Sequence, residues 1–170
     1  EIRRSEGTFI VDEFNQKLMD PLVYGIIMKA KSVKELLEFK ISFLRSILYL
    51  AVEKASKDSI QKLRDQYDLY CKVLDEDIHN IEKLYKINSS FYSYLAEATE
   101  NKVLIEMDLV EKKISKFSRI QGLTEAVNRN NIEMLKDSFI QILDILENHD
   151  ANKIEPFIQA LSKKWQSLVL

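Results

Sequence analysis

Apolar residues recur at helical spacing along almost the whole chain after residue 15. This periodicity predicts a first helical segment over 16–30 and a long, largely buried helix from Ser32 to about 55. Further helices are predicted over about 57–74, 75–98, 102–118, 132–146 and 154–168, with a short segment over 123–128. Short polar turns separate them, so we expect an all-α antiparallel helical bundle of about seven helices.

Polar residues at the predicted boundaries indicate where helices begin. Ser32, followed three positions later by Glu35, has the pattern of a capping box, and Ser56 and Asn101 are typical N-caps. Asn130-Asn131 predicts a stop, and Pro156 is expected in the first turn of the last helix.

Two further boundaries are predicted from charge and from small residues. Asp75-Glu76-Asp77 places negative charge where a helix macrodipole favours it at an N-terminus, so a helix is expected to begin there. A kink or break is expected near Ser118–Gly122.

The first fourteen residues differ from the rest of the chain. Glu1–Gly7 is polar and charged, and Thr8–Val11 is a β-rich run directly after a glycine. This pattern predicts a short strand leaving a turn. We therefore divide the chain into residues 1–14, a β-strand segment with a linker, and residues 15–170, an all-α domain.

Composition limits the partners and the cellular location expected for the protein. The single cysteine, Cys71, excludes an internal disulfide framework, and the net charge of −2 gives no global attraction to nucleic acid. No apolar run predicts a membrane span and no signal-peptide pattern is present, so we expect a cytoplasmic protein with no membrane partner. Since the chain does not begin with Met, we expect it to be a piece of a longer one.

Candidate catalytic chemistry is sparse. The sequence has no GxSxG, HExxH, Walker or GxGxxG pattern, and its two histidines are His79 and His149. Glu76 and His79 have the spacing of a di-iron pair, but such a site needs a second pair. Cys71 has no neighbouring base in the sequence, so it is interpreted as a buried structural residue. We expect no enzyme, no metal and no cofactor.

The segment Glu1–Val11 resembles the wing of a GntR-type winged helix-turn-helix, which has a basic stretch followed by Gly-Thr-Phe-Val. The resemblance implies that Arg3, Arg4 and Thr8 belong to a remnant of a DNA-binding wing. A glycine permits the sharp turn of such a hairpin, and arginines at its tip can grip phosphate or enter the minor groove.

The rest of the chain resembles the all-α FCD effector-binding domain of the FadR-type branch of that family. The resemblance rests on the order and spacing of four groups of residues: Glu38-Phe39-Lys40 with Leu50-Ala51-Val52 and Ala55-Ser56; Asn88-Ser89-Ser90-Phe91-Tyr92; Ala98 to Leu104; and Ile120, Leu123, Ala126-Val127, Asn130-Asn131 and Ile142. It implies a homodimer that binds a small organic effector and reaches operator DNA through a separate N-terminal domain.

The departures from the family pattern bear on the effector site. The resemblance implies one Asp and three His as metal ligands, and those positions here are Asn88, Tyr92, Ile120 and Ile142. Isoleucine cannot ligate a metal, and Asn and Tyr are poor ligands for a divalent ion. The arginine that faces an acidic effector in relatives is Lys40, which keeps the charge but loses the bidentate fork.

Two interpretations of these five positions remain open. In one, the pocket is largely apolar, metal-independent and specific for an acyl-type or other apolar acid: Lys40, Asn88 and Tyr92 orient a polar head, and Ile120 and Ile142 line the apolar part. In the other, the pocket has collapsed, and the chain is a helical dimerisation or protein-interaction module with no small-molecule effector.

Overall fold

Across the residues that the structure describes, six α-helices with defined bounds form the body of the protein, and most of them begin at a polar cap. The computed structural model describes residues 33–169, the strand residues Ile2–Arg3 and Gly7–Thr8, and residues 21, 23, 25, 26 and 29. The helices are α1 (Val33–Lys54), α2 (Lys57–Glu76), α3 (Ile81–Glu97), α4 (Lys102–Asn128), α5 (Ile132–Glu147) and α6 (Ile154–Val169), with a 3-10 turn at Ala151–Lys153 before α6.

At the N-terminus, β1 (Ile2–Arg3) pairs with β2 (Gly7–Thr8) in antiparallel register, Ile2 opposite Thr8 and Arg3 opposite Gly7. The strand expected over Thr8–Val11 therefore begins at Gly7, while Phe9, Ile10 and Val11 lie outside the described residues. The predicted capping residue Ser32 also lies outside them.

The helix caps predicted from sequence are present where they can be described. The side chain of Ser56 accepts a hydrogen bond from the Ser59 amide, and that of Asn101 accepts from the amides of Val103 and Leu104. Asn131 caps α5 in the same way through the Met134 amide. These bonds satisfy amides that a helix start otherwise leaves without partners, so each cap defines where its helix begins.

Three connections between consecutive elements each contain a residue in the left-handed backbone conformation. Glu100, Asn130 and His149 have positive φ values of 52°, 52° and 48°. Each lies just beyond the end of a helix and directly before a capping Asn or Asp. A left-handed residue ends a helix sharply, and the cap then starts the next element. This is why the connections from α3 to α4 and from α4 to α5 are so short.

Two predicted boundaries are wrong. α4 continues without a break through Ser118–Gly122, because the packing of the bundle outweighs the weak helix propensity of serine and glycine. Asp75 and Glu76 end α2 instead of starting a helix, and α3 begins only after the Asn80 cap. His79 consequently lies in the turn between α2 and α3, so Glu76 and His79 do not share a helix.

The main core lies between α1 and the helices that follow it. α2 packs on α3 and α5, α3 packs on α4, and α1 packs on α6. Phe139 of α5 is fully buried at the centre of an aromatic cluster, with ring centroids 4.2 Å from Phe91 and 4.8 Å from Tyr70. Tyr70 is thus a core residue.

A smaller apolar cluster joins the region before α1 to the bundle. Val23 is 4% exposed and packs with Val110 and Ile114 of α4, whereas Ile26 is 38% exposed. Cys71 is half-buried and free, so it is less enclosed than predicted. None of the helices that the structure describes combines the length and apolar character needed to cross a bilayer.

The Asn101 cap offers a direct test of how α4 begins. Substituting Asn101→Ala leaves two amides without their side-chain acceptor and is expected to lower the free energy of unfolding by about 1 kcal/mol, measured by urea denaturation. Asn101→Asp keeps the acceptor and serves as the control. Equal destabilisation by both substitutions would contradict the role of the cap.

Candidate functional site

A cavity of about 590 Å³ lies between α1, α2, α3, α4, α5 and α6. Apolar side chains line one part of it, and a group of polar and charged side chains lines the rest. The apolar lining residues are Leu36, Leu37, Phe39, Ile114, Phe117, Leu123, Met134, Leu135 and Trp165. The polar ones include Lys40, Tyr70, Asn88, Tyr92, Glu111, Lys113, Ser115, Ser118, Arg119 and Ser138.

The structure brings three of the five predicted site residues together. Lys40 of α1 and Asn88 and Tyr92 of α3 all line the cavity. Ile120 and Ile142 are not among its lining residues: Ile142 is fully buried in the main core, and Ile120 is half-buried. The expectation that the two isoleucines form the apolar lining is therefore not met.

Helix geometry explains this difference. Successive residues of an α-helix point about 100° apart, so Arg119 enters the cavity where its neighbour Ile120 does not. On α5 the cavity is lined one turn earlier than expected, by Ser138 in place of Ile142.

The unbroken helix α4 supplies the polar face of the cavity. Glu111, Ser115 and Arg119 follow one another at intervals of four residues, which places them on one side of the helix. All three are buried, with exposures of 2%, 5% and 8%. Polar residues at this four-residue spacing can be recognised in the sequence. The break predicted near Ser118–Gly122 hides the pattern, because it separates Arg119 from Glu111 and Ser115.

Arg119 is the centre of the polar group. Its Nη2 donates to Glu111 Oε2 at 2.6 Å, its Nε to Ser115 Oγ at 2.8 Å and its Nη1 to Asn88 Oδ1 at 3.2 Å. Its guanidinium carbon also lies 4.7 Å from the centre of the Tyr92 ring. A buried charge needs such partners, so Arg119 holds α4 and α3 in a defined relation.

Lys40 approaches the same group from α1. Its Nζ lies 3.7 Å from the centre of the Trp165 ring of α6, a cation–π contact. Burial, followed by repulsion from the neighbouring Arg119 and partly opposed by Glu111, lowers the pKa of Lys40 to about 7. Near neutral pH this lysine therefore exists in both charged and neutral forms.

Two tyrosines complete the polar lining. Burial raises the pKa of Tyr92, while Arg119 and a hydrogen bond with Ser138 lower it in part. Burial, followed by the nearby Tyr92 and Cys71, raises the pKa of Tyr70. Both hydroxyls consequently remain protonated at neutral pH and able to donate.

The metal site implied by the family resemblance does not fit these residues. Asn88 is hydrogen-bonded to Arg119, the Tyr92 ring lies against the same guanidinium, and Ile142 belongs to the core. A fixed cation beside the first two positions would repel a divalent ion. In the part of the chain that the structure describes, no three His, Cys, Asp or Glu residues are grouped closely enough to hold a metal.

Comparison with protein families identifies the domain. The family model of the FCD domain matches residues 35–161, which include every helix that lines the cavity except the end of α6. The chain belongs to the FCD domain family. The FCD domain is the C-terminal domain of GntR-family regulators. Comparisons with curated proteins and with solved structures found no match.

The predicted DNA-binding residues precede this FCD domain. Arg3 and Thr8 lie in the paired strands β1 and β2, and Arg4 lies outside the described residues. The FCD match begins at residue 35 and does not include them, so their assignment to a wing stays a prediction.

The ion pair of Arg119 and Glu111 is expected to be essential to the FCD domain. Arg119→Met leaves the Glu111 carboxylate buried and uncompensated and should cost about 3–5 kcal/mol of unfolding free energy in urea. The double variant Glu111→Gln/Arg119→Met should recover much of this loss. As a control, Arg129→Met breaks the exposed pair with Glu125 and should cost less than about 1 kcal/mol. Similar losses for Arg119→Met and Arg129→Met would contradict this account.

Lys40 should make stability depend on pH. Between pH 7 and its ordinary pKa of 10.5, the unfolded chain binds a proton at Lys40 that the native protein has released. Stability contributed by this residue therefore rises with pH in that interval. The unfolding free energy of the wild type minus that of Lys40→Met should increase from pH 7 to pH 9. A pH-independent difference, or one equal to that of the exposed control Lys62→Met, would contradict the prediction.

Proposed function

We propose that this chain is the effector-binding and dimerisation part of a bacterial regulator of the GntR family, FadR-type branch. The observation that carries the proposal is a cavity of about 590 Å³ inside a matched FCD domain, lined by apolar residues and by buried polar groups. This volume falls in the range of small-molecule sites, about 300–1,000 Å³. No step of the proposed function is catalytic.

The effector is a small organic molecule bound without a metal. Its apolar part contacts residues such as Leu37, Phe39 and Trp165, and its polar part reaches Lys40 and Tyr92. The space between these side chains supports an open pocket over the collapsed alternative, in which side chains would fill it.

In the proposed mechanism, two copies pair and set the spacing of two DNA-binding domains that precede them. Arg3, Arg4 and Thr8 belong to the wing of that domain, and the pairing of β1 with β2 supports a hairpin there. Binding of the effector favours one arrangement of the two domains, and operator affinity changes with it. Coupling of this kind typically amounts to about 1–3 kcal/mol.

A helical interaction module without an effector is the second candidate. Val103 and Phe117 of α4 are 70% and 79% exposed. They lie about four helical turns apart and therefore on nearly the same side of α4. Exposed apolar residues in this arrangement support a protein contact, which a homodimer also satisfies.

Substitutions at Gly122 distinguish an effector-binding domain from an interaction module without an effector. It lines the cavity, and nothing lies within 4 Å of the position that a Cβ would take. Gly122→Leu should therefore fill part of the cavity, while Gly122→Ala gains similar helix propensity, up to about 1 kcal/mol, and leaves most of the space. We expect both variants to be at least as stable as the wild type.

Native mass spectrometry of the purified proteins gives the test. The proposal predicts a dimer of the 19.9 kDa chain that carries an organic adduct in the wild type and in Gly122→Ala, but not in Gly122→Leu. Bare dimers for all three proteins, even after incubation with a cell extract, would favour the interaction module. A stoichiometric metal adduct would contradict metal independence.

A further inference from the structure

Two buried polar atoms of the cavity have no hydrogen-bond partner within the described part of the chain. They are Oε1 of Glu111 and the hydroxyl of Tyr70, in residues that are 2% and 0% exposed. Both residues line the cavity. Buried polar groups in folded proteins are almost always paired, so these two atoms indicate which groups a bound molecule must supply.

Glu111 sets the first requirement. Its Oε2 already accepts from Arg119 at 2.6 Å, which leaves Oε1 as an acceptor that requires a donor. A carboxylate on the ligand has no proton to donate to this oxygen. The polar end of the ligand must therefore carry an O–H or N–H group.

The cations around Glu111 set the second requirement. Arg119 pairs with one oxygen of the Glu111 carboxylate. Lys40 lies close enough to Arg119 and Glu111 that both of them shift its pKa. Burial, followed by repulsion from Arg119, lowers the pKa of Lys40 to about 7 although Glu111 raises it, so we expect this region to accept additional positive charge poorly. An ammonium group on the ligand would meet the same burial and the same repulsion.

Tyr70 sets the third requirement. Burial and its neighbours raise its pKa, so its hydroxyl is protonated and can donate. An acceptor oxygen on the ligand would satisfy it. A primary amide supplies an acceptor and a donor together, and an alcohol supplies both through one oxygen.

We propose that the cavity binds an uncharged amphipathic molecule whose polar end is an amide or a hydroxyl group. Glu111 Oε1 accepts the N–H or O–H of this group, Tyr70 donates to its oxygen, and an apolar chain lies along Leu36, Phe39 and Ile114. This inference rests on the proposed ligand-binding function. It differs from the sequence-based expectation of an apolar acid, because the polar end of the ligand is uncharged.

Four probes with the same alkyl chain test the proposal by isothermal titration calorimetry at pH 7.5: octanamide, octan-1-ol, octanoate and octylamine. Octanamide and octanol are expected to bind at least about tenfold more tightly than the two charged probes, as the loss of one hydrogen bond to a charged group implies. The Gly122→Leu variant should abolish this binding, which assigns it to the cavity.

Two substitutions assign the contacts. Tyr70→Phe keeps the buried ring and removes only a hydroxyl without a partner, so its melting temperature should be unchanged or higher while octanamide binding weakens about tenfold. Tyr67→Phe is the matched control, because Tyr67 does not line the cavity. Glu111→Gln removes the negative charge, lowers stability because Arg119 loses its ion pair, and should narrow the preference for octanamide over octanoate in the protein that remains folded.

Each outcome bears on a different claim. Tightest binding of octanoate or of octylamine overturns the neutral end but leaves the ligand pocket intact. Octanamide binding that survives Gly122→Leu, or that is unaffected by Tyr70→Phe and Glu111→Gln, overturns the assignment to these residues. Failure of all four probes to bind the wild-type protein overturns this inference, whereas the proposed function fails only if native mass spectrometry also finds no adduct.

Discussion

A guanidinium buried inside a helical bundle is the constraint on which the site depends. Arg119 must find partners for its charge, and it does so with Glu111 and Ser115 on its own helix and with Asn88 and Tyr92 on α3. These contacts fix the relation of α3 to α4, and Arg119 adds to the effect of burial in lowering the pKa of Lys40. They also occupy one oxygen of Glu111 and leave the other without a hydrogen-bond partner.

The sequence predicted the helical fold well where a local interaction determines it. Ser56 and Asn101 cap their helices because a side-chain oxygen accepts hydrogen bonds from nearby amides, and residues of this type before an apolar helical run can be recognised in the sequence. The predicted break in α4 failed for the opposite reason. Serine and glycine lower helix propensity near residue 120, but packing against α3 and α5 stabilises the helix there.

The sequence predicted only part of the site. The break wrongly predicted in α4 is the main reason why the remaining polar residues were missed. Lys40, Asn88 and Tyr92 could be grouped by family resemblance, and the cavity contains all three. Arg119 was missed because a helix broken near residue 120 has no defined rotation with respect to Glu111. Once α4 is continuous, the spacing from Glu111 through Ser115 to Arg119 places three polar side chains on its buried face.

The resemblance implies that relatives hold a metal where this chain has Asn88 and Tyr92. Here those residues contact the side chain of Arg119 instead, so the positive charge at this position is carried by the protein itself. A metal has open coordination positions that attract carboxylates, whereas the Arg119 charge is already neutralised by Glu111. In the proposed site, selection of a ligand would then rest on hydrogen-bond complementarity more than on charge. Such selection works by penalising molecules that leave buried donors and acceptors unpaired.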